Sequence, residues 1–363
     1  MKEAALALLG GGLALASLTV WIVILVRRSV GYPIVPFEPR REVPWRLVDV
    51  LLVLVGFLFF AILAPLVVAG VFGLPRIDGG QPPELDALND WTPLLVADGL
   101  AKIATIALAV LFGVSRGGAT AVDFGLTLRN IVGDLKLGAL GFLAALLPVY
   151  CVQAVVIQVM PPDKQHPVLE MLSERSGTAA LAVAVLFAVV LAPLAEEFLF
   201  RAFLQGWLET RPWRSASASG MGADTASSPN GHFSSRSTTD VKPIENESHW
   251  HEIAMASAEN PYAPPTSLGI PSTAPLPDSS DGDLPSETNR APARSDFVAI
   301  VISSFVFAVL HASNWPAPVP LFFLALILGY LYNRTHRLLP CIVVHLLFNA
   351  LSVAAVMWGM ATG

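Results

Sequence analysis

Two adjacent carboxylates, Glu196 and Glu197, interrupt the apolar run from Leu191 to Arg201. Neighbouring residues of a helix point about 100° apart, so the two acids face different sides. Glu197 and Arg201 stand at i and i+4 with the acid first, the favourable order for an ion pair. Glu196 is left without a partner on its own helix, free to take a proton as a general base. Further along, Phe307 and His311 are four residues apart, and so are His345 and Asn349. Each pair shares one helix face. Ionisable side chains inside apolar spans are costly and mark pairs or working sites.

Two chemistries use this set. In one, Glu196, His311 and His345 hold a divalent metal, zinc being the first choice, and leave a position for water. The metal lowers the pKa of that water and polarises a scissile carbonyl. In the other, Glu196 and His311 activate water directly, and His345 and Asn349 donate hydrogen bonds to the oxyanion. The residues alone leave both open. The chain has no H-E-x-x-H, which excludes an ordinary zincin, and no Ser has an evident base beside it in the sequence.

Such residues need helices that cross a bilayer to position them. Of the 363 residues, 54% are hydrophobic and 14% charged, against about a quarter charged in soluble domains. The apolar residues fall in runs long enough to cross a hydrocarbon core of about 30 Å. Eight spans are expected, at about 4–26, 47–72, 93–113, 137–160, 179–209, 297–313, 318–333 and 339–360. The fold class is therefore an all-α polytopic membrane protein of about eight transmembrane helices. The first run continues through Val26 and is followed by Arg27 and Arg28, which favours a retained helix over a cleaved signal. Basic residues gather after spans one, three, five and seven, among them Arg46, Arg116, Arg129, Arg334 and Arg337. The positive-inside rule places those connections in the cytoplasm and both termini outside, as in a multi-pass protein of a bacterial-type plasma membrane.

Smaller signals are consistent with that frame. Pro193 is expected to kink span five just ahead of the acids. Asp98 and Lys102 stand one turn apart in span three; they read as a locally neutralised pair near the outer interface, or else as a polar cavity wall. Cys151 and Cys341 read as helix-packing residues. A net charge of −6 argues against a nucleic-acid partner.

Residues 210–296 differ in kind, being rich in Ser, Pro, Asn and Asp without apolar periodicity. They are expected to form a disordered cytoplasmic insert, and His249, His251 and Glu252 within it are read as solvated. The organisation expected is four N-terminal spans in 1–178 and a catalytic region in 179–355 that the insert at 210–296 interrupts.

Glu-Glu-x-x-x-Arg at 196–201, Phe-x-x-x-His at 307–311 and His-x-x-x-Asn at 345–349, in that order on successive apolar helices, resemble the CPBP family. These are the CAAX prenyl protease and bacteriocin-processing (Abi) intramembrane endopeptidases. The resemblance covers about residues 179–355 apart from the insert. It implies an intramembrane endopeptidase, usually classed as a metalloprotease, with the lipid bilayer and a membrane peptide or protein as partners. By motif position Glu196 is the catalytic base, Glu197 and Arg201 a structural pair, and His311, His345 and Asn349 the rest of the site. The insert departs from the family's short connection, but loop closure becomes only slowly costlier with length. Two other classes compete: a non-catalytic membrane adaptor or immunity protein that keeps the fold, and a transporter using the same residues as a proton relay.

Overall fold

Within lipid every backbone N–H and C=O must be satisfied inside the protein, and a helix does this within one segment. The computed structural model describes residues 2–39, 42–72, 92–160, 178–210 and 294–362, and all the regular structure in them is helical. The expected insert at 210–296 lies outside the described residues apart from its edges, as do Arg40, Arg41 and the connection at 73–91.

The described helices are α1 (Lys2–Ser29), α2 (Leu47–Phe72), α3 (Thr92–Gly117), α4 (Ile131–Val159), α5 (178–209), α6 (Arg294–Val309), α7 (Pro318–Thr335) and α8 (Leu338–Thr362). A helix is present at each of the eight expected spans. Six of them, α1 to α5 and α8, are long and apolar enough to cross a membrane. With α6 and α7 they make the chain an integral multi-pass membrane protein. Leucines, valines and isoleucines on the outside of α1 and α2, such as Leu15, Ile22, Val55 and Leu66, are exposed, as residues facing lipid are.

The α6 helix is shorter than expected. Its 16 residues give about 24 Å, less than a full hydrocarbon core. Pro316 pushes Trp315 into an extended conformation, with ψ 136°, and Pro318 opens α7 at its first turn, where its missing N–H costs nothing.

The α4 helix packs against α1, α7 and α8, while α3 packs against α2 and α5. Prolines inside the helices help to tie them together. Pro148 has no N–H for the carbonyl four residues earlier. That carbonyl, Ala144 O, instead accepts Trp21 Nε1 of α1 at 2.9 Å. The connections after α1, α3 and α7 meet at one end: Arg334 Nε donates to Val35 O at 2.8 Å, and Leu338 N donates to Gly125 O at 3.0 Å. Just before α2, the Trp45 ring stacks between Phe124 and Phe203, with centroids at 5.1 and 4.9 Å. Its indole N–H reaches Phe203 O of α5 at 3.0 Å.

Candidate active site

The α5 helix is continuous but not uniform. Phe187–Leu191 and Phe198–Gln205 are π-helical, and Ala192–Glu197 between them is α-helical. Pro193 is thus met by a π turn ahead of it. Ala192 N–H returns five residues to Phe187 O, and the next residue that could extend this pattern is Pro193, which has no N–H. The carbonyl it would have served, Ala188 O, accepts Asn349 Nδ2 of α8 at 2.8 Å. Asn349 therefore ties α8 to α5 one turn from His345.

Glu197 and Arg201 form the expected pair, with Oε2 to Nε at 3.2 Å and both side chains fully buried. Glu197 also has a second role. Its other oxygen, Oε1, accepts His345 Nδ1 at 2.8 Å. The opposite nitrogen, His345 Nε2, faces Glu196 Oε2 across 3.7 Å. The two acids do leave α5 in different directions, yet both reach one imidazole, because the ring lies between them and presents a nitrogen to each. Since a carboxylate only accepts, Nδ1 carries the proton; in the neutral ring Nε2 is then an acceptor turned toward Glu196. A gap of 3.7 Å is too long for a direct hydrogen bond and suits a shared water.

The support continues along α5. Arg201 Nη1 donates to Ser303 Oγ of α6 at 3.2 Å and to Gln205 Oε1 at 3.5 Å. Gln205 Nε2 donates to Gly329 O of α7 and to Glu209 Oε1, each at 2.8 Å. Gly329 permits this approach: a Cβ there would lie 3.0 Å from Gln205 Oε1 and 2.9 Å from Ile300 Cγ2. A buried guanidinium needs such partners, since an unpartnered buried charge is costly; Nε and Nη1 have them, and Nη2 has none among the described residues. Gln205 and Ser303 were not singled out from sequence. For Gln205 the signal was the four-residue spacing of Glu197, Arg201, Gln205 and Glu209 along one helix; nothing local marks Ser303.

His311 stands in the turn after α6 rather than on the helix, with φ −98° and ψ 11°. Its Nδ1 still reaches back to Phe307 O at 2.8 Å. The Phe307 ring touches both imidazoles, with centroids 4.7 Å from His311 and 5.9 Å from His345. It also lies 5.8 Å from the Arg201 guanidinium carbon. The three sequence motifs thus converge on Phe307 and His345.

Glu196 opens into a small recess between α5, α2 and α3. Phe57, Ile106, Phe198 and Leu199 make its apolar wall, and Lys102 and Thr105 line it from α3. The Asp98–Lys102 pair expected from sequence forms, and of the two readings offered for it, Lys102 follows the cavity wall.

Among the described residues no three His, Cys, Asp or Glu side chains stand together as a metal-binding group. His345 turns its nitrogens to two carboxylates, and His311 turns Nδ1 to a backbone carbonyl. As they stand, Glu196, His311 and His345 do not fit a shared divalent ion.

A family model described as Type II CAAX prenyl endopeptidase Rce1-like matches residues 178–223 and 284–351. The match spans Glu196, Glu197, Arg201, Phe307, His311, His345 and Asn349, and it agrees with the resemblance that the motifs carry. No curated protein and no solved structure matches the chain.

Proposed function

We propose that this chain is an intramembrane endopeptidase that cleaves membrane-associated substrates of the C-a-a-X type, with Glu196 as general base and His345 as its partner. The observation that carries this reading is the Glu196 carboxylate facing Nε2 of an imidazole that Glu197 holds from its other side. The family match supports a protease acting on peptides in a membrane.

The chemistry needs only water and these side chains. A water between Glu196 Oε2 and His345 Nε2 gives a proton to Glu196 while its oxygen attacks the scissile carbonyl carbon. The tetrahedral intermediate collapses by breaking the C–N bond. Glu196 returns the proton to the leaving nitrogen, so one water is consumed and an acid and an amine are released. His311, with Nδ1–H given to Phe307 O, presents Nε2 as a further acceptor at the edge of the same aromatic ring. Glu197 and Arg201 hold His345 in one tautomer without touching the reacting atoms.

The test is hydrolysis of a prenylated peptide by the protein in proteoliposomes. Glu196→Ala and His345→Ala each lower turnover by about 10²–10⁴-fold, the usual worth of a positioned acid or base. Wild-type turnover in Glu196→Ala, with insertion intact, rejects the reading.

A further inference from the structure

We propose that Lys102 is the receptor for a free carboxylate at the C-terminus of the substrate. The proposal rests on the proteolytic reading and adds to it the end of the chain that the site recognises. Of the residues lining the recess, Glu196 carries the carboxylate and Lys102 the ammonium. Their placement in one pocket orients a bound peptide: the bond to be cut lies at Glu196 and an anionic end lies at Lys102.

Three observations point to an anion. Lys102 is turned inward, its side chain 14% exposed, while its partner Asp98 is 51% exposed. An ammonium held against apolar walls gains little from a half-solvated counter-ion and much from a second anion inside the pocket. Its three N–H donors exceed what Asp98 alone can use. The other polar wall group, Thr105 Oγ1, already donates to Ala101 O at 2.8 Å, which leaves Lys102 as the donor to a ligand from α3. The remaining wall is apolar, so the ligand is an apolar peptide segment ending in a charge. The helix contact that sets this geometry is tight: a Cβ on Gly99 would lie 1.9 Å from a ring carbon of Phe187. With no side chain at Gly99, α3 rests against α5, and Lys102 follows one turn later beside the turn that carries Glu196.

The experiment uses one prenyl-cysteine peptide with three apolar residues after the cysteine, made both as the free acid and as the C-terminal amide. The full chain in proteoliposomes prefers the acid by about tenfold or more in kcat/KM, as one charge-assisted contact provides. Lys102→Met abolishes that preference through KM, and Lys102→Arg keeps it. Asp98→Asn frees the ammonium and increases the preference. An acid preference that survives Lys102→Met overturns the proposal. So does an equal fall in kcat for acid and amide, which marks an oxyanion or purely structural role. Direct binding of both peptides to Glu196→Gln separates this from the parent reading. Absence of cleavage by the intact protein with Lys102-dependent binding of the acid sinks the protease and keeps the carboxylate site. Equal binding of acid and amide sinks the site.

Discussion

Glu197 holds His345 Nδ1 at 2.8 Å across 148 positions of sequence, and the second oxygen of the same carboxylate holds Arg201 Nε at 3.2 Å. One buried acid therefore links the cation of its own helix to the imidazole of α8. It orients that imidazole and neutralises the guanidinium at the same time, so removing it disturbs both.

This double duty separates stability from catalysis. Glu197→Gln and Arg201→Met each leave a buried group without its counter-charge, at about 3–5 kcal/mol. The double variant loses less than the sum, because neither charge is then stranded. Glu197→Gln and the double variant lose about 10²–10⁴-fold in turnover, since no carboxylate then holds His345 Nδ1; Arg201→Met keeps that carboxylate and loses less. Thermal unfolding in detergent and peptide hydrolysis measure the two quantities. Additive destabilisation with near-normal turnover contradicts the arrangement.

The Asn349 bond to Ala188 O exists because Pro193 cannot supply an N–H. Asn349→Ala strands that carbonyl and costs about 1–3 kcal/mol. Pro193→Ala restores an N–H to α5, so Asn349→Ala is milder in that background. A double-mutant cycle on the unfolding midpoint reads the coupling, and strict additivity shows that the two residues do not compete for one carbonyl.

Metal dependence follows from the donor geometry. Hydrolysis persists after exhaustive treatment with a divalent-metal chelator, because Glu196, His311 and His345 do not converge on one point. Loss of turnover that returns on adding zinc alone, with zinc retained by the protein, places an ion in the site after all.

The helices were legible because lipid demands long apolar runs, and six of the eight are long and apolar enough to cross. The polar residues of the site were legible because charge in such runs is rare. The contact between Glu197 and His345 was not, since nothing local in 197 or 345 records a partner 148 residues away. The geometric argument that adjacent acids must act apart was sound for the helix and incomplete for the site, because a flat ring with two nitrogens meets both. The sequence reading ends α6 too late: the helix stops at Val309 and His311 falls in the turn that follows. The π turns of α5 follow from Pro193 only once the packing of α8 is known. Lys102 was visible as half of a pair, but the direction it faces depends on how closely α3 approaches α5 at Gly99.

The stacking of Trp45 between Phe124 and Phe203 makes the catalytic half dependent on chain far upstream of it. A fragment starting at residue 178 keeps every motif residue, yet it strips the aromatic flank of α5 bare and leaves Phe203 O without the indole that now caps it. The part of the molecule bearing the chemistry is therefore not a portable cassette; its rigidity is lent to it by the loop that leads into the second helix.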